Sequence, residues 1–284
     1  MIHLSAFADE ISADLNEQVS MLLSENIHLL DLRGVWGTNV LNLTDQQVTR
    51  IKQVLNEHGI SVASIASPIG KVPINSPFDE HLRHFERAIE LAHTFQTPFI
   101  RIFSFYPPLL TEADAESGEF VDPSEWRDKV LQRLSEMTRR ASAANITLLH
   151  ENEKDIYGDT IQRCVDLLQS VNNEHFQALL DPANFIQCGQ KLYPDAYEAI
   201  RPWLRYIHVK DAHTDGSVVA AGEGEAQWPE LLQRLRKDGY NGIFSLEPHL
   251  VASGQFQGFS GPDLFRHTSQ SLQRMLQAMD WEYT

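Results

Sequence analysis

"ISVASIASPIGKVPINSPFDEHLRHFERAIELAHTFQTPFIRIFSF", residues 60–105, holds two short β-rich runs with a helical pattern between them. "ISVASIA" (60–66) and "FIRIFSF" (99–105) are short, apolar and rich in β-branched or aromatic side chains, as buried strands are. Between them Phe78, Leu82, Phe85, Ile89 and Ala92 recur at the spacing that places apolar groups on one helix face. A strand, a helix and a second strand in this order make a βα unit that leads into a parallel sheet.

The same alternation continues in both directions. Further strands are expected at 3–7, 27–33, 146–151, 176–181, 206–210 and 242–247. Helices are expected near 14–25, 44–57, 78–95, 123–144, 159–170, 192–203, 227–238 and 262–278. Eight βα units in about 250 residues predict the α/β class and a (β/α)8 TIM barrel, one domain over residues 1–284. A doubly wound open sheet is the competing arrangement. Loop lengths favour the barrel. Helix-to-strand links are short ("HGI", "QTP", "ANI", "GYNG"), whereas 106–126, 211–226 and 248–262 are long and all follow strands. They therefore gather on the face that receives the strand C-termini, where barrel enzymes keep their chemistry.

Composition narrows the function classes. The chain has 284 residues with 23 Lys plus Arg and 39 Asp plus Glu, a formal charge of −16. That balance disfavours nucleic acid and anionic membrane as partners. Two cysteines, Cys164 and Cys188, without CxxC spacing, point to a reducing compartment and no disulfide framework. "MIHLSAFADE" lacks the basic and long apolar regions of a secretion signal, and no apolar run reaches the roughly 20 residues of a membrane span. A cytoplasmic protein is expected, with a homo-oligomer formed through exposed barrel ends compatible with the fold.

Polar residues at four consecutive strand ends carry the functional signal. "TLLHENEK" (147–154) ends an apolar strand on Glu151, strand six ends on Asp181, strand seven carries His208 and strand eight ends on Glu247. On a closed barrel these strands are neighbours. Three carboxylates brought together repel one another unless something positive meets them. Carboxylate oxygens with an imidazole suit one divalent ion, Mn²⁺, Mg²⁺, Co²⁺ or Zn²⁺. Taken singly, an acid at a strand end is more often a helix cap or surface ion pair, and Asp181 before Pro182 could simply start a turn.

"LLHEN" (148–152), "ALLDPANF" (178–185), "YIHVKD" (206–211), "GEGEAQW" (222–228) and "GYNGIFSLEPH" (239–249) resemble the xylose isomerase-like TIM-barrel superfamily, in its sugar phosphate isomerase/epimerase branch. The resemblance spans essentially the whole chain. It implies that Glu151, Asp181, His208 and Glu247 bind one divalent metal, and that Glu151 and Glu247 act as the acid/base pair across the substrate. Related members often carry a histidine where this chain has Asn184. An amide can bind substrate hydroxyls but cannot transfer protons as imidazole does.

Other polar groups on this face are read with two alternatives each. Lys210 projects to the same side of strand seven as His208, and either stabilises a substrate oxyanion or pairs with Glu153 or Asp211. Arg101, inside an otherwise apolar strand, either contacts substrate or neutralises interior acid. Arg33 is expected to pair with Asp31 on its own strand. Gly70 and Lys71 of "SPIGK" either hold an anionic group or form a plain loop. His150 should face away from Glu151 and either pack or lie at the surface. His213 and His249 edge the pocket or are solvated, and Trp36, Phe105 and Tyr106 wall a sugar or pack in the core.

These readings predict an isomerase or epimerase of a small keto sugar, sugar phosphate or related polyhydroxy carbonyl compound. Proton transfer would run through an enediolate. A metal-dependent dehydratase of a keto polyol uses the same groups and is the alternative. A non-catalytic sugar-binding barrel is less favoured. So is the superfamily's three-zinc abasic-site endonuclease, since the third and fourth strand ends, "ASPIGK" and "FSFYPP", lack its extra histidines.

Overall fold

Eight parallel strands close on themselves in the computed structural model, which describes residues 1–108, 122–251 and 259–284. The strands are β1 (His3–Ala6), β2 (Leu29–Leu32), β3 (Ser61–Ile65), β4 (Phe99–Ile102), β5 (Thr147–Glu151), β6 (Phe176–Leu180), β7 (Leu204–Val209) and β8 (Ile243–Leu246). Each pairs with the next in chain order, and β8 returns to β1 in the register Ser5 to Ser245. Closure leaves no free sheet edge.

The outer ring among the described residues contains α1 (Leu15–Ser24), α2 (Asp45–Glu57), α3 (Phe78–Phe95), α4 (Arg127–Ala143), α5 (Ile161–Val171), α6 (Pro182–Gln187), α7 (Tyr197–Ile200), α8 (Trp228–Lys237) and α9 (Pro262–Ala278). Local chemistry sets their ends. Thr44 and Gln47 form a reciprocal capping box at the start of α2, and Asp14 caps α1 through the Asn16 and Glu17 amides. The expected bounds of α3 and α9 coincide with the observed ones. The expected 192–203 helix is a π turn, a single α turn and a 3-10 turn in succession. Parts of the long 106–126 and 248–262 connections lie outside the described residues.

Strand alternation divides the core in two. Leu30, Leu32, Ile100, Ile102, Leu148, Ala178, Leu180, Ile207, Phe244 and Leu246 face outward and join the helices in the main apolar core. The inward row starts with an apolar plug of Ala63, Leu149, Leu179 and Tyr206. One layer up, buried Asp31 accepts hydroxyl hydrogen bonds from Ser5 (2.5 Å), Ser245 (2.6 Å), Tyr206 (2.8 Å) and Ser64. Those bonds tie five strands together and satisfy a carboxylate that has no ion-pair partner among the described residues. The next inward layer is the site.

Candidate metal centre

Two residues above Leu149, Leu179, Tyr206 and Ser245 on the same inward face come Glu151, Asp181, His208 and Glu247. All four are buried, and one ligand atom from each lies within 4.8 Å of the others. His208 Nδ1 stands 3.4 Å from Glu151 Oε1, 3.6 Å from Asp181 Oδ2 and 3.0 Å from Glu247 Oε2. The opposite carboxylate oxygens are held elsewhere. Arg101 Nη1 donates to Glu151 Oε2 (3.1 Å) and to Glu247 Oε1 (3.2 Å), Arg33 Nη1 donates to Glu247 Oε1 (3.1 Å), and the Asn184 amide donates to Asp181 Oδ1 (2.9 Å). Asp181 is thus both a helix cap and a member of the cluster.

Both His208 ring nitrogens and Glu247 Oε2 are buried without a hydrogen-bond partner among the described residues. Such orphaned atoms, converging with two further carboxylates, fit a divalent ion. The same carboxylates also act on the His208 imidazole. Burial opposes charge on His208, but Glu151 and Glu247 outweigh it and hold the imidazolium well above the ordinary histidine range. Burial likewise opposes ionisation of Glu247, and His208 with His249 reverses the effect and holds it well below the carboxylate range. Asp181 is lowered too, against burial, chiefly by Lys210.

The other expected residues divide into several groups. Lys210 is buried, donating to Asp181 Oδ2 (3.2 Å) and Asn184 Oδ1 (3.1 Å), so its main partner is neither Glu153 nor Asp211. Asn184 also donates to Glu151 Oε1 (3.3 Å) and the Asn152 carbonyl (3.0 Å). Arg101 neutralises the interior acids. Lys71 pairs with Glu153 at 2.7 Å and stacks on the Phe103 ring. Arg33 corrects the expectation: it pairs with Asp9 (2.7 Å), Glu10 (3.5 Å) and Glu247, while Asp31 sits one layer lower among hydroxyls. His150 faces outward as expected, packs near Phe176, and burial lowers its pKa to about 3. Phe105 is core, Trp36 is exposed in a two-residue hairpin turn, and His213 lies in the turn of the Asp211–Ala212/Val218–Val219 ribbon. The "GEGEAQW" stretch proves structural, since the Gly222, Gly224 and Ala226 amides all donate to Asp211.

Three neighbours escaped the sequence reading. Glu10 is fully buried and bonds the His249 amide (3.0 Å) and the Ser260 hydroxyl (2.8 Å), clamping both stems of the last βα connection. Asp9 supports Arg33. Phe7 lies between the guanidiniums of Arg33 and Arg101, each 4.9 Å from its ring centre, and meets His208 edge-on. The signal was present in "HLSAFADE": acids directly behind an apolar strand, as in "TLLHENEK".

Comparison with known proteins agrees with this fold. D-psicose 3-epimerase of Enterocloster bolteae is 19% identical over 262 residues, covering 89% of this chain and 83% of its own. The crystal structure of D-psicose 3-epimerase with D-tagatose from Clostridium cellulolyticum H10 superposes with a TM-score of 0.73 at 14% identity, covering 96% of this chain and 98% of that one. A xylose isomerase-like TIM-barrel protein from Mycobacterium smegmatis in complex with magnesium gives 0.71 at 16% identity, covering 98% and 96%. The family model for the xylose isomerase-like TIM barrel matches residues 30–275, a span that holds β2 from its second residue, the six later strands whole and all four clustered side chains. With its closed barrel and inward-facing strand ends, the chain belongs to the xylose isomerase-like TIM-barrel family.

Proposed function

We propose that this chain is a divalent-metal-dependent isomerase or epimerase of a small keto sugar or related polyhydroxy carbonyl compound. The supporting observation is that Glu151 and Glu247, from strands β5 and β8, share one buried cluster while Arg101 bonds both. When bound, the ion supplies Lewis-acid polarisation of the substrate carbonyl and lowers the acidity barrier at the adjacent carbon. One glutamate takes the proton from that carbon, and the other returns a proton to the opposite face or the neighbouring carbon. Arg101, bonded to both carboxylates through one guanidinium nitrogen, orients them. Lys210, held by Asp181 and Asn184, presents its ammonium to oxygen charge that develops on the substrate. Asn184 serves as an amide donor rather than a proton carrier.

The test is incubation of ion-loaded protein with keto sugars in ²H₂O. Deuterium should appear at the carbon next to the carbonyl in step with product. Growth of conjugated-carbonyl absorbance with loss of water would move the assignment to the dehydratase, and no turnover with any keto sugar would contradict catalysis by this site.

A further inference from the structure

Directly behind β1 the chain makes a single 3-10 turn, Ala8–Glu10, in which the Glu10 N–H donates to the Phe7 carbonyl at 3.1 Å. The Phe7 N–H donates to the Leu246 carbonyl at 3.0 Å, so the turn starts beside the end of β8, one residue before Glu247. Glu10 is fully buried there, and each of its three oxygens is engaged. Its backbone carbonyl accepts the Ser260 N–H (3.0 Å) and the Gly261 N–H (2.8 Å). Oε2 accepts the His249 N–H (3.0 Å) and the Ser260 hydroxyl (2.8 Å). Oε1 meets His249 Nε2 at 3.0 Å and Arg33 Nη2 at 3.5 Å.

Clamping the last connection accounts for the carbonyl and Oε2 but not for Oε1. A neutral acceptor would hold those stems, and burying a carboxylate costs more than burying a neutral group. Oε1 instead meets the two basic side chains that stand against Glu247 Oε1. Arg33 Nη1 is 3.1 Å from that oxygen, His249 Nε2 is 3.7 Å from it, and the two nitrogens are 3.2 Å apart. Arg33 Nε is taken by Asp9 at 2.7 Å, so three nitrogens of one guanidinium serve three acids, and a rotation of Arg33 would disturb all three contacts. We propose that Glu10 is a positioning residue for Glu247: it braces Arg33 and His249 against Glu247 Oε1 and leaves Oε2 turned to His208 Nδ1 at 3.0 Å in the cluster. This deepens the isomerase reading and rests on Glu247 serving there as ligand and base. Groups that hold a metal ligand from behind change metal affinity by about ten- to a hundredfold when they are removed.

Mn²⁺ binding to metal-stripped protein, followed by calorimetry and electron paramagnetic resonance, tests the brace with no sugar present. Glu10→Gln keeps an oxygen for the His249 amide and the Ser260 hydroxyl but sets an NH₂ group against Arg33 and His249. Its Mn²⁺ affinity should fall about tenfold or more, and the zero-field splitting of bound Mn²⁺ should change. Ser260→Ala cuts the side-chain clamp and leaves the brace, so it should lower the melting temperature of metal-free protein while Mn²⁺ affinity stays within about twofold. A folded Glu10→Gln protein that binds Mn²⁺ within about threefold of the parent overturns the proposal. So does an equal loss of affinity in Ser260→Ala, which would make Glu10 a loop clamp alone. If Glu10→Gln does not fold, His249→Ala, on a half-buried side chain, takes its place: Mn²⁺ should bind about tenfold more weakly, and unchanged affinity overturns the brace. Parent protein that binds Mn²⁺ but incorporates no deuterium into any keto sugar refutes the isomerase reading alone, since the brace is judged by affinity. Parent protein that binds no Mn²⁺ refutes both.

Discussion

A buried imidazole facing three carboxylates can be balanced by a proton or by a metal ion, but Nδ1 of His208 cannot carry both. The sequence alone suggests ion binding that weakens near the ordinary histidine pKa of roughly 6.5. The structure moves the transition upward, because Glu151 and Glu247 favour the imidazolium against its burial. Below that raised pKa the ion must displace one proton. Affinity for Mn²⁺ should therefore fall by up to about tenfold for each pH unit of acidification, beginning above 6.5. Titrations in buffers of differing ionisation enthalpy should show one proton released per ion. Affinity that stays flat between about pH 6 and 8 would contradict this assignment. At the same scale, the four clustered residues were legible because a charged group behind a greasy strand demands a partner. The partner of Arg33 was not. Asp31 shares its strand face, yet Ser5, Ser64, Ser245 and Tyr206 satisfy it, and they come from four other strands.

Element by element, strand period and helix period gave the barrel and its order, and what they lacked were the short pieces. Helix α6 has six residues, too few to show a period, although Asp181 and Pro182 form a standard N-cap and first turn. The loop after β3 is fixed by contacts remote in sequence. Gly70 has φ +92, and a Cβ there would strike the Phe103 carbonyl. Gly70→Ala should cost roughly 2–4 kcal/mol and shift Lys71. Gly59→Ala, at φ +65 with open space, should cost only about 1 kcal/mol. Equal losses in urea unfolding would refute the steric account. The same loop carries a pH dependence through His81, which accepts the Gly70 amide and therefore must be neutral. Burial first, then Arg133 and His84, lower its pKa to about 4. Between roughly 6.5 and 4 the unfolded chain binds the extra proton, so stability falls as pH falls through that window. His81→Gln should remove about 2 kcal/mol of the loss between pH 7 and pH 5, read from paired urea titrations. Identical pH slopes for the two proteins would exclude His81 as the source.

For the whole molecule, the inward row of alternating positions runs from apolar plug to Asp31 to the cluster, so the barrel serves as a scaffold that stacks chemistry at one end. Among the described residues no helix is long and apolar enough to cross a membrane. The cluster is tied to five of the barrel strands through its own residues and Arg101, so an ion that binds there should stabilise the entire fold by mass action. Saturating Mn²⁺ should raise the melting temperature, and a chelator should reverse the rise. The most direct measurement of the central claim is the stoichiometry of Mn²⁺ bound by metal-stripped protein, compared with Asp181→Ala. Asp181 lies just beyond the end of β6 and outside the apolar core, so the variant should fold with unchanged circular dichroism. The account predicts one ion per chain, with affinity lowered about a hundredfold or more in Asp181→Ala. Protein that binds no divalent ion, or a folded Asp181→Ala variant that binds Mn²⁺ as tightly as the parent, would contradict it.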